Sequence, residues 1–142
     1  MHIEALMDAE EAKWHELCAE VERFTHEELE RPGVTPGGWS VKDVLFHLGA
    51  WAAECGLQLE RMRMGTWEEP HLDVERKNRE WFELSRTMDV KTVKAELAAA
   101  RTRMVVEFGT LPEVTPHAVE WFEESGPLHY GEHLTDLRPW CR

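Results

Sequence analysis

Apolar positions recur along this chain at intervals of three and four residues, which is the period of one face of an α-helix. No segment shows the alternation of apolar and polar residues that is typical of a half-buried strand. The clearest stripe begins just after Ser40 and consists of Val44, Leu48, Trp51, Cys55, Leu59 and Met62. This pattern predicts an all-α fold.

Capping and breaking residues set the ends of the first helix. Asp8 and Glu11 have the spacing of a capping box, so the helix is predicted to start near Asp8. It is predicted to run to about Glu30, because Arg31-Pro32-Gly33 follows and favours a stop.

The second helix has the best-marked start in the chain. Ser40 can cap the helix and Asp43, three residues later, can return a hydrogen bond to the cap. The periodic pattern then continues from Val41 to Arg63 or Met64, just before a glycine. A single long helix is therefore predicted over this stretch.

The third helical arm is predicted in two pieces, residues 73–86 and 90–108, with a kink near Met88 and Asp89 as the cap of the second piece. Two further starts follow, because Thr115-Pro116 and Gly126-Pro127 both place proline at the first helical position. Four long arms with short polar connections predict a four-helix bundle, in up-down order with a longer crossing connection.

Composition narrows the class of protein. The 142 residues are predicted to form one domain, residues 1–142, which is long enough to bury a core without disulfides. With 28 acidic and 16 basic side chains, the net charge of −12 disfavours nucleic acid and anionic membrane surfaces as partners. The chain also lacks a signal-like start and a membrane-length apolar run, so we expect a cytoplasmic protein.

The three cysteines are an odd number and include no CxxC pair, so they predict neither a disulfide framework nor a zinc ribbon. Cys18 and Cys55 lie on apolar stripes, where a free thiol usually packs as a small hydrophobe. Cys141 lies at the chain end.

Three histidines are candidates for a metal site. His129 and His133 are four residues apart, so on a helix their Cβ atoms lie roughly 6 Å apart on one face, a spacing that allows both to bind one metal ion. His47 falls on the apolar stripe of the second helix and so points inward. Ordinary surface or core histidines remain an alternative for each, because neither pattern is specific alone.

Other polar residues carry weaker signals. Asp43 and Asp136 each lie close enough in sequence to a candidate ligand to orient its ring, although Asp43 is better explained as part of a helix cap. Glu132 lies about 100° around the helix from either neighbouring histidine and is a poor ligand. The remaining histidines have no partner at metal spacing and are predicted on the surface: His2, His15, His26, His71 and His117.

Two stretches resemble a known superfamily. Residues 38–48, followed by Trp51, resemble the second-helix motif of the DinB/YfiT-like superfamily, and residues 129–134 are similar to its last-helix motif. Asn78 and the turn at residues 111–112 further resemble the branch that includes ClbS-type proteins. The resemblance covers essentially the whole chain. It implies a four-helix bundle that binds a divalent metal through His47, His129 and His133.

Two classes of function follow. The first is a metalloenzyme acting on a small organic molecule, with zinc or nickel at the three histidines and Trp51 or Tyr130 lining the cavity. The resemblance implies thiol-dependent transfer or hydrolysis, so a low-molecular-weight thiol is a candidate cofactor. The second is a metal-free binding or detoxification protein of ClbS type. The residues alone identify no catalytic acid, base or nucleophile and no further cofactor.

Association is predicted from aromatic residues outside the clearest inward stripes. Trp67, Trp81 and Trp121 are such residues, and exposed aromatic patches often mark subunit contacts. The expectation is a homodimer.

Overall fold

Every regular element in the computed structural model, which describes residues 3–142, is an α-helix, so the predicted all-α class is confirmed for this part of the chain. None of these helices combines the length and apolarity needed to cross a membrane. The helices are α1 (Ile3–Glu22), α2 (His26–Glu30), α3 (Val41–Met64), α4 (Val74–Ser85), α5 (Val90–Gly109), α6 (Pro116–Ser125) and α7 (Pro127–Leu137).

The first arm corrects the prediction of one continuous helix over residues 8–30. Asp8 lies inside α1, and the chain breaks after Glu22. It breaks there because Thr25 and Glu28 form a capping box: the Glu28 amide donates to Thr25 Oγ1 at 3.2 Å, and the Thr25 amide donates to Glu28 Oε1 at 2.9 Å. The Asp8–Glu11 pair has the same spacing, but it lies where α1 is already formed.

The start of α3 is confirmed as a capping box, and it is buried. The Asp43 amide donates to Ser40 Oγ at 3.1 Å, and Asp43 Oδ2 accepts from the Ser40 amide at 2.9 Å. Ser85, at the end of α4, donates its hydroxyl to Asp43 Oδ1 at 2.5 Å. These bonds tie the end of α4 to the first turn of α3. At its other end, α3 stops at Gly65, whose φ of 73° is left-handed.

Helix α3 lies at the centre of the packing and contacts α4, α5 and α6, while α1 packs against α7. Helices α3 and α5 approach each other closely, since a Cβ added to Gly49 would lie 3.2 Å from Leu97 Cα. The apolar stripe of α3 is fully buried at Val44, Leu48, Cys55 and Leu59. This packing fixes the position and rotation of α3, and therefore of any functional side chain on it.

A buried ion pair links α1, α5 and α7. Glu10 is 1% exposed and accepts from Arg101 Nε at 2.8 Å and Nη2 at 2.5 Å. The Tyr130 hydroxyl donates to Glu10 Oε2 at 2.9 Å. Because Glu10 receives three donors, its charge is compensated inside the core. The network sets how α7 lies against α1 and α5.

The three tryptophans behind the homodimer prediction are half-buried and contact their own chain. Trp67 donates its indole N–H to Gln58 Oε1 at 2.9 Å, Trp81 packs edge-on against Trp51 at 5.0 Å between ring centroids, and Trp121 lines a cavity described below. These contacts weaken the reason for expecting a homodimer, because the three tryptophans are not a free aromatic patch. The homodimer stays a prediction. Sedimentation velocity of the isolated chain at micromolar concentration tests it.

Candidate metal centre

Helices α3 and α7 bring together the three histidines that the sequence singled out. His47 lies in the second turn of α3, and His129 and His133 lie one turn apart on α7. Their ring centroids form a nearly equilateral triangle with sides of 4.8, 5.1 and 4.9 Å. One nitrogen from each ring lies within 4.8 Å of the other two, so the cluster could hold a metal ion.

The nitrogen positions fit a divalent ion with little adjustment. His47 Nε2 and His129 Nε2 are 2.9 Å apart, whereas two imidazole ligands of a tetrahedral zinc ion stand about 3.3 Å apart. The other ring nitrogens, Nδ1 of His47 and of His129, are buried and have no hydrogen-bond partner. A donor set of three imidazoles suits zinc or nickel better than calcium or magnesium, which prefer oxygen.

Burial lowers the pKa of two of the three histidines, His47 and His129. It lowers the pKa of His47 from 6.5 to about 4, with a smaller effect from His133. It also lowers the pKa of His129 to about 3, with further effects from the other two rings. A neutral imidazole has a free lone pair, which is the form that binds a metal. His47 and His129 are therefore in this form at neutral pH.

The same shifts predict that the metal-free protein loses stability in acid. In the unfolded chain, His47 and His129 take up protons at pKa values near 6.5. In the folded protein they stay unprotonated down to about pH 4. Stability should therefore fall as pH drops from about 6.5 to 4, by up to about 1.4 kcal/mol per pH unit for each ring. Urea unfolding of the chelator-treated protein across this range measures it.

A variant isolates this effect from other titrating groups. His129→Gln should flatten the dependence of unfolding free energy on pH between 6.5 and 4, whereas His15→Gln, at an exposed position, should leave it unchanged. If His129→Gln leaves the pH dependence of the unfolding free energy unaltered, the loss of stability in acid does not come from this histidine.

One carboxylate orients a histidine. Asp136 Oδ2 lies 3.3 Å from His133 Nδ1, which leaves Nε2 of that ring as the free nitrogen. Asp43 does not play this role for His47, because its oxygens are taken by Ser40 and Ser85. Of the two carboxylates that the sequence left open as orienting groups, the structure thus places only Asp136 beside a ring.

Asp136→Asn should lower the affinity for zinc by about tenfold, because the amide cannot support the ring as a charged acceptor does. Competition with a chromophoric chelator measures the affinity. Glu132→Gln is the matched control, since it removes one charge from the same cavity at a side chain with no hydrogen bond to a ring. Equal losses in both variants would mean that charge, and not orientation, is responsible.

The histidines lie in a cavity of about 720 Å³. Trp39 packs edge-on against His47 at 5.0 Å between centroids. Trp51, which the sequence placed at the cavity, does line it, and its indole N–H donates to Asn78 Oδ1 at 2.8 Å. These contacts hold aromatic faces in fixed positions beside the three rings.

Tyr130 does not line the cavity, which corrects its predicted placement. Its side chain is fully buried on the other side of α7, with the hydroxyl on Glu10 and the ring 5.7 Å from Trp14. The reason is helical geometry: Tyr130 is one residue after His129 and so lies about 100° around the helix.

The remaining histidines behave as predicted where the structure describes them. His15, His26, His71 and His117 are exposed, and His2 lies outside the described residues.

Sequence reasoning missed much of the cavity wall. Trp39, Trp121 and two glutamates of α6, Glu120 and Glu124, all line the cavity. The glutamates are four residues apart, so their shared helix face was visible in the sequence. Which part of the molecule this helix face contacts depends on the path of the chain between α5 and α7.

One family model matches most of this chain. A family model described as mycothiol maleylpyruvate isomerase N-terminal domain matches residues 11–137, a range that includes all three histidines. Searches of curated proteins and of solved structures found no match. Because the family match spans most of the sequence, the chain belongs to the mycothiol maleylpyruvate isomerase N-terminal domain family, within the DinB/YfiT-like superfamily.

Proposed function

We propose that this protein is a metal-dependent enzyme that carries out thiol-dependent transfer or hydrolysis on a small organic molecule. His47, His129 and His133 hold the divalent ion, with zinc or nickel as the metal. The observation that carries the proposal is the convergence of three imidazoles in one cavity of about 720 Å³. Three protein ligands leave a coordination position open, as a catalytic site requires.

When bound, a divalent ion supplies a Lewis acid that lowers the pKa of a water or thiol ligand. The chain's own residues do the positioning. Asp136 holds His133 through Nδ1, so that Nε2 of the same ring points away from Asp136. Trp39 packs against His47, and the Trp51–Asn78 hydrogen bond keeps a second aromatic wall in place.

A low-molecular-weight thiol is the proposed co-substrate. The description of the family names mycothiol as well as maleylpyruvate. A protein thiol is a poor substitute inside the site, because Cys55 is buried in the core and burial raises its pKa to about 12. We therefore propose that the nucleophilic sulfur comes from a diffusible thiol.

The alternative is a metal-free binding or detoxification protein of ClbS type that uses the same cavity. The two proposals differ in metal content and in what loss of a histidine does. Elemental analysis of untagged full chain should find about one zinc or nickel ion per chain if the site is a metal centre.

Turnover tests the proposal. The untagged chain is assayed for thiol transfer and for hydrolysis, with and without added zinc or nickel. We expect activity only with metal, and loss of turnover in His133→Ala but not in the exposed control His71→Ala. Full activity of the metal-free protein or of His133→Ala would overturn the metal-dependent mechanism and favour the alternative.

A further inference from the structure

The two helices that carry the histidine cluster make little direct contact with each other. Helix α7, which carries His129 and His133, packs mainly on α1 and α6 and only lightly on α3, which carries His47. The three rings nevertheless lie within 5.1 Å of one another between centroids. The relative position of the three rings is therefore set through other helices that pack on α3 and on α7.

Helix α5 has the most extensive contact with α3. Its backbone at Leu97 lies against Gly49, two residues after His47, where an added Cβ would be only 3.2 Å from Leu97 Cα. Arg101 lies one turn after Leu97 on α5. Because close packing holds α3 and α5 together, the Arg101 side chain begins at a fixed position relative to His47.

Arg101 is linked to α7 through Glu10 of α1. Its guanidinium donates to the Glu10 carboxylate at 2.8 and 2.5 Å, and the Tyr130 hydroxyl donates to the same carboxylate at 2.9 Å. Glu10 also lies against the start of α7, because a Cβ added to Gly126 would be 3.5 Å from Glu10 Cγ. One buried side chain of α1 therefore contacts α7 at two points that are four residues apart.

The contact at Tyr130 fixes the rotation of α7 about its own axis. Tyr130 lies between His129 and His133 in the sequence and about 100° around the helix from His129. If α7 turned, the Tyr130 hydroxyl would leave Glu10, and both imidazoles would turn away from His47. Such a rotation is unfavourable, because the fully buried hydroxyl would lose its hydrogen-bond partner.

We propose that the buried Glu10–Arg101–Tyr130 network positions the histidine cluster. The network holds α7 at the rotation in which the two imidazoles of this helix face His47. None of the three residues lines the histidine cavity, so they act on the cluster through the placement of α7. This inference rests on the proposed function for the role of the cluster as a metal site, and it adds the residues that set the geometry of the ligands.

Tyr130→Phe tests the proposal with the smallest change, since it removes the hydroxyl and keeps a ring against Trp14. It should lower the affinity for zinc by about fivefold, measured by competition with a chromophoric chelator. Groups that support a metal ligand directly contribute about ten- to a hundredfold, and Tyr130 acts one step further away. Cobalt(II) bound in place of zinc should show a changed visible absorption spectrum, because its d–d bands report the coordination geometry.

Arg101 provides a second test from outside α7. Arg101→Met should also lower zinc affinity by about fivefold, whereas Arg101→Lys keeps a cation beside Glu10 and should stay within about twofold of the wild type. The double variant Tyr130→Phe/Arg101→Met should lose less affinity than the product of the two single losses, because both changes break the same network.

Leu29→Ala is the control that separates positioning from a general loss of stability. Leu29 is buried in α2, which packs on α3 and α5, and its truncation should destabilise the protein at least as much as Tyr130→Phe. It should change zinc affinity by less than about twofold and leave the cobalt spectrum unaltered. Circular dichroism checks that every variant is folded under the conditions of the titration.

The metal-free chain gives a readout that needs no bound ion. The imidazole ¹H–¹⁵N NMR signals of His129 and His133 should shift in Arg101→Met, although Arg101 does not line the histidine cavity. The same signals should keep their positions in Leu29→Ala.

The inference is overturned if Leu29→Ala lowers zinc affinity as much as the network variants do, or if the imidazole signals are the same in the wild type and in Arg101→Met. These outcomes are distinct from a failure of the proposed function. A wild type that binds no zinc, together with the expected shift of the imidazole signals, would refute the metal-dependent enzyme and support the positioning role. Tight zinc binding that is equal in the wild type and both network variants would refute the positioning role alone.

Discussion

Replacing His133 with alanine should lower the affinity of this protein for zinc or nickel by more than about a hundredfold. Loss of a supporting hydrogen bond alone costs up to about that factor, and His133→Ala removes one of the three proposed ligands. His133 is 9% exposed and its ring centroid lies 5.1 Å from that of His47, so no other side chain can take its position without moving α7. Competition titration against a chelator of known affinity gives the ratio.

The matched controls are His26→Ala and His71→Ala, which remove exposed imidazoles away from the cluster. They should change metal affinity by less than about twofold, because a single exposed histidine is a weak metal site. If either control variant loses as much metal affinity as His133→Ala does, the ion binds elsewhere on the surface and the three-histidine site is wrong.

The largest effect on stability is expected at the buried ion pair. Arg101→Met should lower the free energy of unfolding by about 3 kcal/mol, because it leaves the Glu10 carboxylate in the core with only the Tyr130 hydroxyl as a donor. The Arg101 side chain is 19% exposed, so water can reach the gap, and the loss should fall at the lower end of the range for broken buried pairs. Urea denaturation followed by circular dichroism measures it.

Arg103→Met provides the comparison on the same helix. Arg103 pairs with Glu60 at 2.7 Å, but both side chains are exposed, at 44% and 37%. Methionine keeps the aliphatic contact with Gly56, so this variant should cost less than about 1 kcal/mol. If Arg101→Met lowers the free energy of unfolding as little as Arg103→Met does, the Glu10 network does not stabilise the packing of α7.

Helix ends with local signals were predictable from the sequence. Ser40 with Asp43, Asp89 and Thr115 all cap the helices predicted for them, because a cap is made between residues a few positions apart. The error at residues 8–30 has the same origin. Thr25 and Glu28 have the same spacing as Asp8 and Glu11, and the structure shows that the pair at Thr25 is the one that forms a capping box.

The histidine cluster was predictable because helical periodicity places His129 and His133 together and His47 inward. The family resemblance supplied the grouping of the three.

The burial of Glu10 was not predictable from the sequence. A glutamate among other acidic residues of α1 has no local feature that predicts burial, and its partners lie 91 and 120 positions away. The acidic cavity wall was missed for the same reason, since it joins residues from separate segments.

The central claim is that one divalent ion binds between α3 and α7. Anomalous X-ray diffraction from crystals of the zinc-loaded chain tests it most directly. The account predicts one strong zinc peak about 2.0–2.1 Å from a ring nitrogen of each of His47, His129 and His133. A peak only at the exposed histidines or at Glu120 and Glu124, or none at the cluster with zinc at equimolar concentration or above, would contradict it.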